Sequence, residues 1–143
     1  MFKLDDCVGF ITNNTSKRIA DVFNAKLNSY DVTRVQWIAL YFLGTSEYIN
    51  QSELAEKMNI KKSTIVRLID RMEKEGYVQR KKDIKDRRIT YIFLTALGKK
   101  LRKKLLPFGK EFSDLISKDI SDEDMRIFKN VLNKLVENAE LNK

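Results

Sequence analysis

The chain has no histidine, one cysteine, one proline and five glycines in 143 residues. Without histidine, the commonest metal ligand and acid–base catalyst is missing. A single cysteine cannot close an internal disulfide. Little proline and glycine means little turn chemistry, which favours a mainly helical chain with a small amount of strand. There is no uninterrupted apolar run long enough to span a bilayer, which argues against a membrane protein. The opening residues MFKLDDCVGF lack the basic-then-apolar pattern of a secretory signal, so the chain reads as cytoplasmic. No glycine-rich phosphate loop occurs, and no Ser or Lys has a neighbour that would activate it. The expectation is therefore a non-enzyme with no cofactor and no metal.

What is present is charge, unevenly placed. The net charge is +8. Residues 51–104 carry 17 Lys/Arg against 7 Asp/Glu, whereas residues 1–50 balance 5 against 5 and residues 105–143 hold 6 against 8. The whole positive excess sits in one central stretch. That is the electrostatic footprint of a site for a polyanion. The alternative, a surface made basic only for solubility, would mix the two signs more evenly.

The length suits one domain, 1–143, with one core. Apolar residues at helical spacing predict a first helix over 4–28. Thr33 with Gln36 forms a capping-box pattern for a helix over Val35–Leu43, and Gly44 ends it. Tyr48-Ile49 suits a short edge strand. Asn50 with Glu53 caps the next helix, and Asn59-Ile60-Lys61 is a tight turn in which Asn tolerates left-handed backbone angles. A helix over about 62–75 has Ile65, Leu68, Ile69 and Met72 on one inward stripe, with Gly76 as its stop. Tyr77–Lys82 and Ile89–Leu94 alternate like strands around a charged tip at 83–88. Thr95 caps a helix to about Ser117 that contains Pro107, and Ser121 with Asp124 caps a last one.

Helix, tight turn, helix and then a two-stranded ribbon is the order of a winged helix-turn-helix. On the 62–75 helix the face opposite the apolar stripe carries Ser63, Thr64, Arg67 and Arg71, with Lys61 and Lys62 at its start. A helix fits the DNA major groove, and its N-terminal residues reach base edges. Arg67 is the candidate for a bidentate guanine contact, while Ser63 and Thr64 could donate to bases or phosphates. The tip carries Lys85, Asp86, Arg87 and Arg88, and narrow minor grooves attract arginine. Asp86 paired with Arg88 would hold the guanidinium at a fixed angle. The bland alternatives are a solvated helix face and a charged hairpin tip that blunts aggregation.

Three motifs in order make the pattern specific. They are Ser63-Thr64-Ile65-Val66-Arg67-Leu68-Ile69-Asp70-Arg71-Met72-Glu73-Lys74-Glu75-Gly76-Tyr77-Val78-Gln79-Arg80, then Asp83-Ile84-Lys85-Asp86-Arg87-Arg88, then Leu94-Thr95-Ala96-Leu97-Gly98-Lys99-Lys100-Leu101. In these the chain resembles the MarR family of bacterial winged-helix regulators, and with its flanking helices the likeness covers nearly the whole length. The resemblance implies a winged helix-turn-helix at about 33–94, with dimerisation helices at about 4–28 and 95–138. It implies a homodimer that binds a pseudo-palindromic operator on double-stranded DNA, usually as a repressor. It implies that Arg88 enters the minor groove with Asp86 steering it. It implies release from DNA, in many members, by a small aromatic acid or phenol.

The residues support a dimer independently. Phe2, Leu4, Val8, Ile11, Phe108, Phe112, Leu115, Ile116, Phe128, Leu132 and Leu135 exceed what one small domain needs, and a monomer would leave an apolar patch wet. The competing reading packs them into an intramolecular core. Cys7 lies about where peroxide-sensing relatives keep a reactive cysteine. An ungapped alignment instead puts Gly9 at that position, and puts Phe23 and Arg34 where the partner tyrosines would stand. A structural thiol is the reading adopted, with a redox sensor at Cys7 as the alternative. A winged-helix adaptor that binds protein and not DNA is the other rival.

Overall fold

The computed structural model describes residues 1–143. It is mainly helical, with one small antiparallel sheet. Two compact units divide it, Met1–Phe108 and Gly109–Lys143.

The first unit begins with a 3-10 turn at Leu4–Asp6, followed by α1 at Val8–Leu27. The sequence predicted one continuous helix from residue 4, and the structure corrects this. The Cys7 backbone is extended, its N–H closes the 3-10 turn on the Leu4 carbonyl, and its own carbonyl accepts the first helical bond from Ile11. Cys7 is therefore the N-cap of α1 and stands outside the helix. After a second 3-10 turn, Thr33 caps α2 at Arg34–Leu43 with the expected reciprocal box. The Gln36 N–H donates to Thr33 Oγ1 at 3.1 Å, and the Thr33 N–H donates to Gln36 Oε1 at 3.0 Å. Two orphan donors at the helix start are satisfied this way.

β1 is Ile49–Asn50, α3 is Gln51–Met58 and α4 is Lys62–Lys74. The corner between the two helices depends on Asn59, which sits at φ 53° and lets the Ile60 N–H close on the Ala55 carbonyl. A branched side chain there would be strained. At the end of α4, Gly76 takes φ 84°. The Tyr77 N–H then reaches the Met72 carbonyl and the Gly76 N–H reaches that of Glu73, which is a Schellman closure.

β2 at Val78–Lys82 and β3 at Thr90–Leu94 form the wing. The sheet order is β1-β3-β2, all antiparallel, with Arg80 opposite Ile92 and Ile49 on the other side of Ile92. Ile49, Val78 and Ile92 face inward and are buried. They meet Ile65, Ile69 and Met72 of α4, Leu54 and Ala55 of α3, and Ala39, Leu40 and Leu43 of α2 in one apolar core. Leu68, predicted for the same stripe, is only half-buried against it. Each fully buried Leu, Ile or Met contributes roughly 1.5–3 kcal/mol over its exposed state. This core fixes α4 and the wing relative to each other.

α5 runs Ala96–Ile116 and stays helical through Pro107. In the first unit it packs through buried Leu105, whose carbonyl accepts the Trp37 indole N–H at 2.8 Å. The second unit comprises the rest of α5, a turn with Asp119 at φ 62°, and α6 at Asp122–Leu141 capped by Ser121. No residue of α6 is buried. Ile127, Phe128, Val131, Leu135 and Val136 expose between 38% and 54% of their surface. In the first unit Phe2, Leu4, Val8 and Ile11 are likewise exposed. None of the eleven apolar residues singled out from the terminal segments is buried within the chain; Phe108, Phe112 and Leu132 are half-buried and the others exposed. No helix is long and apolar enough to cross a membrane.

Candidate nucleic-acid interface

α4 presents its polar face to solvent because its apolar stripe is consumed by the core. Lys61 is the N-cap residue and Lys62 opens the helix. Lys61, Lys62, Ser63, Thr64, Arg67 and Arg71 are all exposed. Lys61 makes no side-chain cap bond, so the positive end of the helix faces outward with nearby lysines. Arg71 is less free than its spacing suggested. Its Nε–H donates to Glu75 Oε1 at 3.0 Å, and Glu75 Oε2 also accepts from the amide of buried Gln36 at 3.2 Å. Glu75 therefore ties Arg71 to the start of α2.

The wing tip is shaped by carboxylates. Asp83 Oδ2 accepts from the Asp86 N–H at 2.9 Å, while the Asp83 N–H donates to the Ile89 carbonyl. Asp86 then grips Arg88. The Arg88 N–H and Nε–H both donate to Oδ1, and Nη2–H donates to Oδ2, each at 3.0 Å. The Arg88 side chain is nevertheless 90% exposed. It is aimed by its neighbour and left open to solvent. The Arg88 hydrogen bonds, side chain first and backbone second, hold the Asp86 carboxyl below the usual aspartate range, and Asp86 raises Arg88 further. Lys85 and Arg87 are exposed on the same tip.

Of the two sets, one groove brings together Lys62, Asp86 and Arg88, while Lys61, Ser63, Thr64, Arg67, Arg71, Lys85 and Arg87 do not line it. Lys62 and Val66 of α4, Gln51 and Ser52 at the start of α3, and Asp86 and Arg88 of the wing line this open groove of about 450 Å³. Cys7 is elsewhere in the chain order and half-buried at the entrance to α1.

Arg80 was not among the candidate site residues read from the sequence. The sequence quoted it as a strand position, yet its guanidinium joins α3, α4 and β2. Nε–H donates to Gln51 Oε1 at 3.1 Å, Nη2–H to the Val66 carbonyl at 2.9 Å, and Nη1–H to Asp70 at 2.6 Å. The available signal was a pair of carboxylates, Asp70 and Glu73, one helical turn apart on an otherwise basic helix.

The sequence model of the MarR family matches residues 32–90. An HTH-type transcriptional regulator of Bacillus cereus is 30% identical over 128 residues, 89% of this chain and 83% of that protein. The HTH-type regulator YsmB of Bacillus subtilis is 34% identical over 109 residues, 76% of this chain and 75% of its own.

The chain belongs to the MarR family.

Among solved structures, the Staphylococcus aureus MepR–DNA complex superposes with a TM-score of 0.86 at 22% identity, covering 92% of this chain and 98% of that one. The fold is thus that of MarR-family winged-helix proteins. As a member of the family, the protein is a helix-turn-helix transcriptional regulator and not an enzyme.

Proposed function

We propose that this MarR-family regulator binds a pseudo-palindromic operator in double-stranded DNA as a homodimer and represses transcription from it. The observation that carries the reading is the shared groove, in which Lys62 of α4 and the Asp86-gripped Arg88 of the wing stand together. In this reading α4 enters the major groove, with Arg67, Ser63 and Thr64 reading bases or fixing register. Lys61, Lys62, Arg71, Lys85 and Arg87 neutralise phosphates, and Arg88 probes the adjacent minor groove. That MepR, which shares this fold, was solved with DNA supports a duplex as the partner.

The dimer has its own support. No residue of α6 is fully buried and it exposes Ile127, Phe128, Val131, Leu135 and Val136, and the start of the chain exposes Phe2, Leu4, Val8 and Ile11. A second copy related by a two-fold axis would cover such surfaces and place two α4 helices about one DNA turn apart. Release by a small aromatic effector rests on the family resemblance. It requires the effector to favour the DNA-incompetent arrangement by about 1–3 kcal/mol.

The test is selection of bound duplexes from a random pool, followed by affinity measurement over a salt series. The reading expects a two-fold-symmetric consensus and a log–log slope that falls by roughly 0.9 for each phosphate neutralised. No preference for selected over random duplex would favour the protein-binding adaptor. Phe128→Asp, measured by sedimentation equilibrium, is expected to shift the dimer towards monomer, and an unchanged distribution would remove α6 from the interface.

A further inference from the structure

Asp70 lies seven residues after Ser63 and three after Arg67, so it shares the outward stripe of α4 with the proposed base-reading side chains. Glu73 sits at the flank of that stripe. A bare carboxylate on this surface would meet phosphate and be repelled. The structure does not leave the two acids bare. Arg80 Nη1–H donates to Asp70 Oδ1 at 2.6 Å and to Glu73 Oε1 at 3.5 Å, and the Arg80 backbone N–H donates to Glu73 Oε2 at 3.1 Å. The Arg80 side chain is only 21% exposed, whereas Asp70 and Glu73 are 57% and 45% exposed. The cation lies behind and the acids lie in front.

We infer that Arg80 is a positioning residue for DNA binding: it neutralises Asp70 and Glu73 on the recognition helix so that α4 can approach a duplex. The inference rests on the DNA-binding reading above. Two physical points favour masking over a purely stabilising role. The two carboxylates are themselves half exposed, so their charge would face an approaching duplex unless a cation offset it. A planar guanidinium that also holds Gln51 Oε1 and the Val66 carbonyl is fixed in place, so its charge stays against the acids and does not wander. The same bonds tether the wing strand to α3 and α4, which keeps the masked surface in register with Arg88.

The experiment measures affinity for a duplex recovered by selection, at fixed low salt, for the wild-type protein, R80M, R80M/D70N/E73Q and D70N/E73Q. R80M is expected to bind about tenfold more weakly, the size of one lost charge contact. The triple variant is expected to regain most of that loss, because the repelling carboxylates have gone. D70N/E73Q is expected to bind at least as tightly as wild type, because Arg80 then adds an uncompensated charge. A merely structural Arg80 predicts no rescue in the triple variant. An unaltered R80M, an unrescued triple variant or a tenfold loss in D70N/E73Q each overturns the inference. The last arm decides the matter even if R80M does not fold. A wild-type protein that ignores every duplex sinks the DNA-binding reading along with it, whereas wild-type binding with any of the three failures sinks the masking alone.

Discussion

Removing a negative charge from a DNA-binding surface ought to tighten binding, and Asp86→Ala is expected to do the opposite. Arg88 is 90% exposed, so its direction is set by the two 3.0 Å side-chain bonds to Asp86 and not by packing. Arginine loses much rotamer freedom when it is fixed. In the wild type that ordering is done before DNA arrives; in Asp86→Ala it must be done on binding. The resulting loss is on the order of tenfold in affinity, comparable to the loss from Arg88→Ala itself. The assay is fluorescence anisotropy on a selected duplex with both single variants and the double variant, forming a cycle. In the Arg88→Ala background, removing Asp86 should cause no further loss and a slight gain, since only repulsion remains there. Thermal unfolding should hardly move in any of them, because exposed ion pairs add little stability. If Asp86→Ala binds as tightly as the parent, or more tightly, the clasp does not aim Arg88 and the argument fails.

Three further outcomes follow from the geometry. The Asp86 carboxyl has a lowered folded-state pKa, so the clasp is complete above the ordinary aspartate range and is lost only as pH falls through the lowered value. A carbon-detected NMR titration should place the Asp86 midpoint below the ordinary aspartate value, and a midpoint above it would contradict the hydrogen-bonded geometry. Gly98→Ala would drive a Cβ into the Tyr77 carbonyl oxygen, a backbone atom that cannot swing aside. Urea unfolding should show a loss of about 1–3 kcal/mol, and a neutral result would mean that Gly98 of α5 does not lie against the Tyr77 backbone just before β2. Gln36→Ala removes one half of the α2 capping box and the amide that donates to Glu75. It should destabilise the protein by about 1–2 kcal/mol in the same assay, and no change would show that the buried amide is dispensable.

What sequence determined by itself were the features whose cause is local. The Thr33–Gln36 box, the Asn59 corner, the Gly76 stop and the Asp86–Arg88 pair each depend on residues within a few positions of one another, where residue type and short-range sterics settle the geometry. The order of elements and the buried stripe of Ile65, Ile69 and Met72 were legible for the same reason, since helical period is written into spacing. Cys7 shows where that logic stops: periodicity ran the first helix through it, but a backbone turn in the first residues places it at the N-cap. Tertiary structure alone decided the remainder. Arg80 meets Gln51, Val66 and Asp70 across 29, 14 and 10 residues of chain, and Gln36 meets Glu75 across 39. Those partners become neighbours only after the core has packed α2, α3, α4 and the sheet together. The positive charge was visible from composition, but which acids it answers depended on that packing.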